Sequence, residues 1–222
     1  GGTWFNQGLI ESASLESLGT GELYFQGGGL RWLAANYDPT LRTVTFGTGG
    51  AILDTNGNDV SFNNAFGGNG AGGLTKQGTG ILTLNAAGSF SGPVIISAGG
   101  IRYGTDNALP QTASLTLSGS LDVGAYSGTL AGLDMAVNST ISGSGDLLFT
   151  GKVTINGGGS RTLTVNNTGT TTFDGQQMVL VNTGTTARTT TLAVNEGATL
   201  VINNQMVDGG NTASITKTGT GV

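Results

Sequence analysis

Cysteine and histidine are both absent from the 222 residues, and these two absences exclude much of enzyme chemistry. Without cysteine there is no disulfide and no thiol nucleophile. Without histidine the chain lacks the commonest general base and the commonest metal ligand. Ser–His–Asp triads, Cys–His dyads and ordinary zinc sites are therefore impossible. The lack of cysteine also suits a protein that must stay unfolded while it crosses an oxidising periplasm.

Charged residues and proline are scarce, whereas glycine is abundant. Charged residues make up only 9% of the chain, with a net charge of −5, and the eight Lys and Arg residues form no basic stripe, so we expect no nucleic-acid binding. The hydrophobic fraction of 36% with so few charges is not typical of disorder. The 42 glycines follow no three-residue period, which excludes collagen, and they disfavour helices. No apolar run approaches 18 residues, so no transmembrane helix is predicted.

Short segments of alternating apolar and polar residues recur along the chain, as in Ile-Leu-Thr-Leu at 81–84 and Val-Thr-Ile at 153–155. This period of two, rich in β-branched residues, is typical of half-buried strands. Turn dipeptides such as Asn56-Gly57 and Asp174-Gly175 separate the segments. Strand starts about 8–12 residues apart indicate a sandwich, a barrel or a solenoid.

Internal repetition favours the solenoid. Leu-Thr-Lys-Gln-Gly-Thr-Gly-Ile at 74–81 returns as Ile-Thr-Lys-Thr-Gly-Thr-Gly-Val at 215–222, an offset of 141. Leu-Tyr-Phe-Gln-Gly at 23–27 is echoed by Leu-Thr-Leu-Ser-Gly at 115–119, an offset of 92. Unequal offsets indicate degenerate stacking of short strands. We therefore predict an all-β fold, a right-handed single-stranded parallel β-helix of about ten coils. Residues 1–222 are expected to form one continuous segment of a longer array.

One part of the chain resembles a known repeat. The phrase Gly-Gly-Leu-Thr-Lys-Gln-Gly-Thr-Gly-Ile-Leu-Thr-Leu at 72–84, followed by Phe-Ser-Gly at 90–92 and Ser-Ala-Gly-Gly at 97–100, is similar to the autotransporter-associated β-strand repeat. The best match covers 72–100, and a truncated second copy covers 213–222. Looser similarity covers most of the remaining sequence, and 125–210 departs most from the pattern, so a different cross-section is expected there.

The resemblance implies a β-helical passenger of a type V secreted bacterial protein, exported to the cell surface through a C-terminal outer-membrane barrel that these residues do not include. It implies a non-catalytic stalk or adhesin segment that mediates adhesion, aggregation or display. The expected partners are neighbouring coils of the passenger, copies of itself, or host and matrix molecules. Two alternatives remain open. One is a self-assembling fibre subunit joined end to end, and the other is a carbohydrate-active β-helix enzyme.

Two acidic segments are candidate sites. Residues 54–59, Asp-Thr-Asn-Gly-Asn-Asp, carry enough side-chain oxygens for a Ca²⁺ loop, but the glycine is fourth where an EF-hand loop needs it sixth. We favour a corner rich in Asx turns. Glu11, Glu16 and Glu22 form the densest acidic group, yet their spacing does not place two carboxylates on one face as glycoside hydrolysis requires. We assign no catalytic, cofactor or metal site and expect no cofactor.

Threonine and aromatic residues give two further candidates. Thr-x-Thr at 43–45 and 162–164, with three threonines at 189–191, could form an ice-binding face, although outward threonine is also ordinary in strands. Aromatic residues concentrate near the start of the chain and could form a sugar-stacking surface or fill the core of wide coils, which we favour. They include Trp4, Tyr24, Phe25, Trp32 and Tyr37.

Overall fold

The computed structural model describes residues 1–33, 37–210 and 212–222. In this part of the chain there are two short 3-10 helices, Glu16–Leu18 and Pro39–Leu41, and 25 strands. None of its helices is long and apolar enough to cross a membrane. The strands are β1 (Thr3–Phe5), β2 (Leu9–Ser12), β3 (Leu23–Phe25), β4 (Gly29–Trp32), β5 (Val44–Phe46), β6 (Ala51–Asp54), β7 (Val60–Phe62), β8 (Leu74–Gln77), β9 (Ile81–Leu84), β10 (Val94–Ile96), β11 (Gly100–Tyr103), β12 (Ser114–Leu117), β13 (Ser120–Asp122), β14 (Gly128–Leu130), β15 (Gly132–Met135), β16 (Ser139–Gly143), β17 (Leu147–Phe149), β18 (Val153–Gly157), β19 (Arg161–Asn167), β20 (Thr170–Phe173), β21 (Gln177–Asn182), β22 (Arg188–Val194), β23 (Thr199–Ile202), β24 (Gln205–Asp208) and β25 (Ala213–Thr218).

The strands form because apolar residues alternate with small or polar ones. In β9, Leu82 and Leu84 are fully buried, whereas Ile81 and Thr83 are partly exposed. Such alternation places every second side chain on one face of a strand. Residues in the left-handed backbone conformation follow several of the strands, and Asn56, with φ of +49°, is one of them. Asparagine adopts this conformation more readily than most residues, so the turn dipeptides fix where each strand stops.

The strands associate into four sheets in which each pairing is parallel. A ten-stranded sheet runs β2-β4-β6-β8-β10-β12-β15-β18-β21-β24, and an eight-stranded sheet runs β7-β9-β11-β13-β16-β19-β22-β25. A third face is built by β1-β3-β5 and later by β14-β17-β20-β23. Between these two short sheets, isolated bridges such as Phe66 to Gly88 continue the stacking. The chain is therefore a parallel β-solenoid of about nine turns, which confirms the predicted fold class.

Coil length varies along the solenoid. Leu115 pairs with Leu133, an offset of 18, whereas Met178 pairs with Met206, an offset of 28. The prediction of about ten coils agrees with the ten rungs of the longest sheet. The longer coils carry the regular third-face strands β17, β20 and β23, which lie in the region that departs most from the repeat pattern.

A continuous core fills the axis of the solenoid. Near the start it is aromatic: Phe25 meets Phe46 edge-on at 5.8 Å between ring centroids, and Phe46 lies 5.2 Å from Phe90. Further along it is mainly aliphatic, with fully buried residues such as Leu117 and Leu163, and it includes one edge-on aromatic pair, Phe149 and Phe173, at 5.6 Å between ring centroids. Each coil buries its apolar residues only against the coils above and below, so stability depends on stacking.

The two sequence echoes do not join equivalent places in the solenoid. The first copy of the eight-residue phrase begins in β8 of the ten-stranded sheet, and the second begins in β25 of the eight-stranded sheet. Likewise 23–27 begins in β3 on the third face, and 115–119 begins in β12 of the ten-stranded sheet. The echoes therefore reflect local strand-and-turn preferences that different faces reuse.

Candidate functional site

The aromatic residues near the start of the chain divide between the core and the surface. Phe5 and Phe25 are buried and stack at 4.2 Å between ring centroids, and Trp32 is completely buried. Trp4 is 60% exposed and lies 4.3 Å from the half-buried ring of Tyr24. Core filling, the favoured interpretation, thus holds for Phe25 and Trp32, while Trp4 and Tyr24 are on the outer face.

Trp4 and Tyr24 belong to a surface that we call the aromatic platform, formed by outward side chains of β1, β3 and β5 and by the two residues that flank β3. Trp4 pairs with Tyr24, which pairs with Thr45 in the next coil. Polar groups flank the rings: Glu22 Oε1 accepts a hydrogen bond from the Thr45 hydroxyl at 2.6 Å, and Gln26 lies just beyond Phe25. An exposed ring face beside a carboxylate and an amide can stack on a sugar ring and bond its hydroxyls. The platform comprises Trp4, Glu22, Tyr24, Gln26 and Thr45.

The acidic segment at 54–59 forms a corner between β6 and β7. Asp54 Oδ1 accepts a hydrogen bond from the backbone N–H of Asn56 at 2.8 Å, which is an Asx turn. The Asn58 side-chain amide donates to the Trp32 carbonyl at 3.2 Å, and Asp59 Oδ1 accepts from the Ile81 N–H at 2.8 Å. Asn58 and Asp59 are thus bonded to backbone groups of neighbouring coils, whereas the bond of Asp54 lies within the corner itself. Across the described residues, no group of three acidic side chains is placed to hold a metal ion.

The three glutamates that looked like an acidic group have separate partners. Glu11 Oε1 lies 3.2 Å from Arg31 Nη1, and Arg31 Nε in turn lies 3.5 Å from Asp54 Oδ2. Glu16 is fully exposed in the first 3-10 helix, where a hydrogen bond from its own backbone lowers the pKa of its carboxyl group. Glu22 belongs to the aromatic platform. No structural relationship joins these three carboxylates into one site in the described part of the chain.

The threonines fall on different faces. Thr45 lies on the third face, whereas Thr164 and Thr191 lie in the eight-stranded sheet. In that sheet Thr164 pairs with Thr140 on one side and with Ala193 on the other. Thr162, however, pairs with Thr191, which pairs with Thr216, so a ladder of three threonines forms on this sheet. An ice-binding face needs a regular array of threonines in one plane, and Thr45 on the third face does not join this ladder.

A polar groove of about 320 Å³ runs along the outer face of the ten-stranded sheet. Asp134 lies in it between Thr116 and Thr154, and Lys152 lines the same groove. Asp134 Oδ1 is buried and accepts no hydrogen bond. Asp134 is the sole carboxylate among the described lining residues, whereas glycoside hydrolysis needs two. The groove therefore lacks the acid pair that a β-helix hydrolase would require.

One residue with unusual chemistry did not stand out in the sequence. Lys76 is completely buried inside the ten-stranded sheet. A signal was available, because Leu74 and Lys76 are two residues apart in one strand and so must share a face. With Leu74 in the core, period-two alternation already directs Lys76 inward.

Comparison with known proteins identifies the repeat. Residues 74–102 match the family described as passenger-associated-transport-repeat. This range overlaps the phrase at 72–100 that resembled the autotransporter-associated repeat. Residues 74–102 therefore carry a repeat similar to that family. The passenger repeat covers β8 to β11, which span the interior of the two longest sheets.

The chain is also similar to part of a much larger protein. It is 32% identical over 133 residues to the adhesin BmaC autotransporter of Brucella suis biovar 1 (strain 1330). The match covers 56% of this chain and 4% of that relative, so the chain spans a small fraction of the relative's length. No solved structure matches the chain significantly.

Proposed function

We propose that the chain is a non-catalytic, surface-exposed β-helical segment of a type V secreted protein, which acts as a stalk and presents a lateral surface for adhesion. The observation that carries this proposal is the uninterrupted ten-stranded parallel sheet over a continuous core. Ten rungs have nine spacings of about 4.8 Å, so the segment is a rod about 43 Å long. Such a rod can hold other parts of a long protein away from the cell.

The adhesive role rests on the similarity to a protein named an adhesin and on the outer surface of the first coils. The aromatic platform exposes a tryptophan face next to a carboxylate and an amide, and it is the surface we assign to partner contact. The partner would be a molecule with stackable rings and hydroxyl groups, such as a matrix polysaccharide. A non-catalytic role is consistent with the passenger repeat and with the single carboxylate of the polar groove.

A second candidate function is that of a fibre subunit, in which successive copies pair end to end. The observation that favours it is an apolar cavity of about 200 Å³ in the last coil, lined by residues such as Leu200, Ile202, Met206 and Val222. Met206 is 47% exposed, and unpaired strand edges beside exposed apolar residues favour pairing with another chain. In this case the coil edge, not the lateral face, would be the functional interface.

Negative-stain electron microscopy of the purified chain at several concentrations separates these proposals. Separate rods about 43 Å long, unchanged on concentration, are expected of a stalk segment. Long uniform fibres that shorten on dilution would replace the stalk with the fibre subunit. Compact globules would contradict both, because both require the elongated solenoid.

A further inference from the structure

A single lysine interrupts an aliphatic column in the core of the solenoid. Lys76 pairs with Leu53 in the coil before it and with Ile96 in the coil after it. The column continues on both sides with aliphatic residues, Leu30 and Leu117. All five side chains are buried, and Lys76 has no exposed surface at all. A charged side chain in this column needs a reason, because lysine is almost never fully buried unless it is paired.

The Lys76 ammonium group bonds to groups from three successive coils. Nζ donates to the carbonyl oxygens of Gln77 and Gly78 in its own coil, both at 2.8 Å. It donates to the hydroxyl of Thr55 in the previous coil at 3.0 Å and to the carbonyl of Ala98 in the next coil at 3.3 Å. An ammonium group has three protons, and all of them have acceptors here.

The acceptors are neutral, so the bonding of Lys76 is not that of a salt bridge. No ion pair involves Lys76 in the described residues. Burial lowers the pKa of Lys76 to about 8, and the charges of Asp54 and Asp59 act in the opposite direction. Hydrogen bonds from a charged donor are about twice as strong as neutral ones, and they satisfy corner carbonyls that face away from water.

The second copy of the phrase repeats the local part of this arrangement. Lys217 Nζ donates to the carbonyl of Gly219 at 3.2 Å, two residues further on, as Lys76 does to Gly78. Gly78 and Gly219 share nearly the same left-handed conformation, with φ of +75° and +78°. The two phrases lie in different sheets, so the turn and its lysine bond follow from the phrase itself.

The contacts of Lys217 with its neighbours differ from those of Lys76. Lys76 pairs with Leu53, and the residue two positions beyond Leu53 is Thr55. Lys217 pairs with Leu192, and the residue two positions beyond Leu192 is Val194. Valine offers no hydroxyl, and Lys217 is exposed. Among the described residues, Lys217 therefore has the turn bond to Gly219 but no bond to the coil before it, which makes it a matched control.

We propose that Lys76 is a coil clamp, a buried ammonium group that fixes the corner between β8 and β9 by bonding it to the coil before and the coil after. The Thr-Lys-x-Gly-Thr-Gly phrase sets up the clamp by turning the chain at the left-handed glycine, so that two carbonyls face the lysine. A hydroxyl in the previous coil and a carbonyl in the next complete it. The clamp locks the register of three coils at one point of a long solenoid, as a buried polar residue can do in a stacked structure.

Amide hydrogen exchange measured by mass spectrometry tests the clamp on the whole chain. Three proteins are compared: the unaltered chain, Lys76→Met, and Lys217→Met as the matched control. In Lys76→Met we expect exchange at the corners around 54–58, 77–81 and 97–100 to be faster by about tenfold or more, the loss expected when hydrogen bonds to a charged group are removed. Lys217→Met should leave these corners unchanged. Exchange in Lys76→Met equal to that of the unaltered chain would overturn the proposal.

A second measurement decides the matter if Lys76→Met does not fold. The chain has three lysines, and Lys152 and Lys217 are exposed, so acylation by an amine reagent reports on Lys76 against two internal references. Thr55→Val removes one clamp bond with little change of shape and should raise the acylation rate of Lys76 by about tenfold relative to Lys152. Thr190→Val, at a buried threonine in β22, is the control. An unchanged acylation rate of Lys76 in Thr55→Val would overturn the proposal, because Lys76 would then be protected by burial alone.

Discussion

The Nζ atom of Lys76 lies 2.8 Å from the carbonyl oxygen of Gly78 in a part of the core that is otherwise aliphatic. The contact joins a buried charge to a backbone group at a corner where the chain changes sheets. Because the ammonium group is withdrawn from water, the pKa of Lys76 is lowered to about 8 from its ordinary value of 10.5. The protonation of this group is therefore coupled to folding.

The first prediction concerns the pH dependence of stability. In the unfolded chain Lys76 keeps its proton up to pH 10.5, whereas in the folded chain it loses it near pH 8. Between these values the unfolded state binds more protons, so the free energy of unfolding rises with pH, by at most about 1.4 kcal/mol per pH unit. Below pH 8 both states are protonated, and the cost of burying the charge is constant.

Denaturant unfolding of the unaltered chain and Lys76→Met from pH 7 to 10.5 measures this coupling. Other titrating groups cancel in the difference between the two proteins. We expect the free energy of unfolding of the unaltered chain to rise relative to that of Lys76→Met as the pH rises above 8. A difference that stays flat through this range would mean that Lys76 titrates as it does in water.

The second prediction concerns the stacked core. Leu115 is fully buried between Val94 and Leu133 of the adjacent coils. Leu115→Ala should lower the free energy of unfolding by about 2–5 kcal/mol, because it removes buried methyl groups and leaves a cavity between coils. Leu41→Ala makes the same chemical change at a side chain that is 71% exposed and should cost less than about 0.5 kcal/mol. Similar losses in the two variants would contradict the assigned axis of the core.

Much of the fold follows from local sequence, since period-two alternation and turn residues suffice to place most strands. β9 and β18 begin at Ile81 and Val153, where the alternating segments begin in the sequence. Parallel stacking was predicted from repetition, but the phrase at 74–81 and its copy at 215–222 begin in different sheets, so the repeat reflects a shared strand-and-turn preference and not equivalent rungs. The assignment of strands to faces could not be predicted from the sequence, because coil lengths from 18 to 29 residues shift the register without a fixed period.

The candidate surfaces were less predictable than the fold. Trp4 and Phe5 are adjacent aromatic residues, and composition alone treats them alike, yet alternation directs one outward and the other inward. The polar bonds of Asn58 and Asp59 depend on which backbone groups the neighbouring coils bring near. Such contacts join residues about 20 or more apart in sequence and become visible only once the register is known.

The third prediction concerns a glycine required by the close approach of two coils. A Cβ atom at Gly80 would overlap the backbone carbonyl of Asn58 in the coil before it, and backbone cannot move aside cheaply. Gly80→Ala should therefore destabilise the solenoid by about 1–3 kcal/mol. At Gly158 the nearest atom to a Cβ is Arg188 Nη1 at 3.6 Å, so Gly158→Ala should be nearly neutral. Thermal unfolding of both variants checks this pair, and equal midpoints would refute the close packing at Gly80.

The last prediction concerns the aromatic platform and uses the two tryptophans as probes. Trp32 is buried and Trp4 is exposed, so Trp32→Phe leaves the fluorescence of Trp4 as the reporter of the outer face. If the platform stacks on sugar rings, titration with hexose oligomers such as cellohexaose or chitohexaose should shift Trp4 emission to shorter wavelength, because the bound ring excludes water. The oligomer that gives the shift is then immobilised on a column. The variant Trp4→Ala, made in the otherwise unaltered chain, should no longer be retained on it. Its free energy of unfolding should change by less than about 0.5 kcal/mol. Emission that does not move with either oligomer would remove the sugar-binding role from this surface, while the stalk, which depends on the stacked core, would remain.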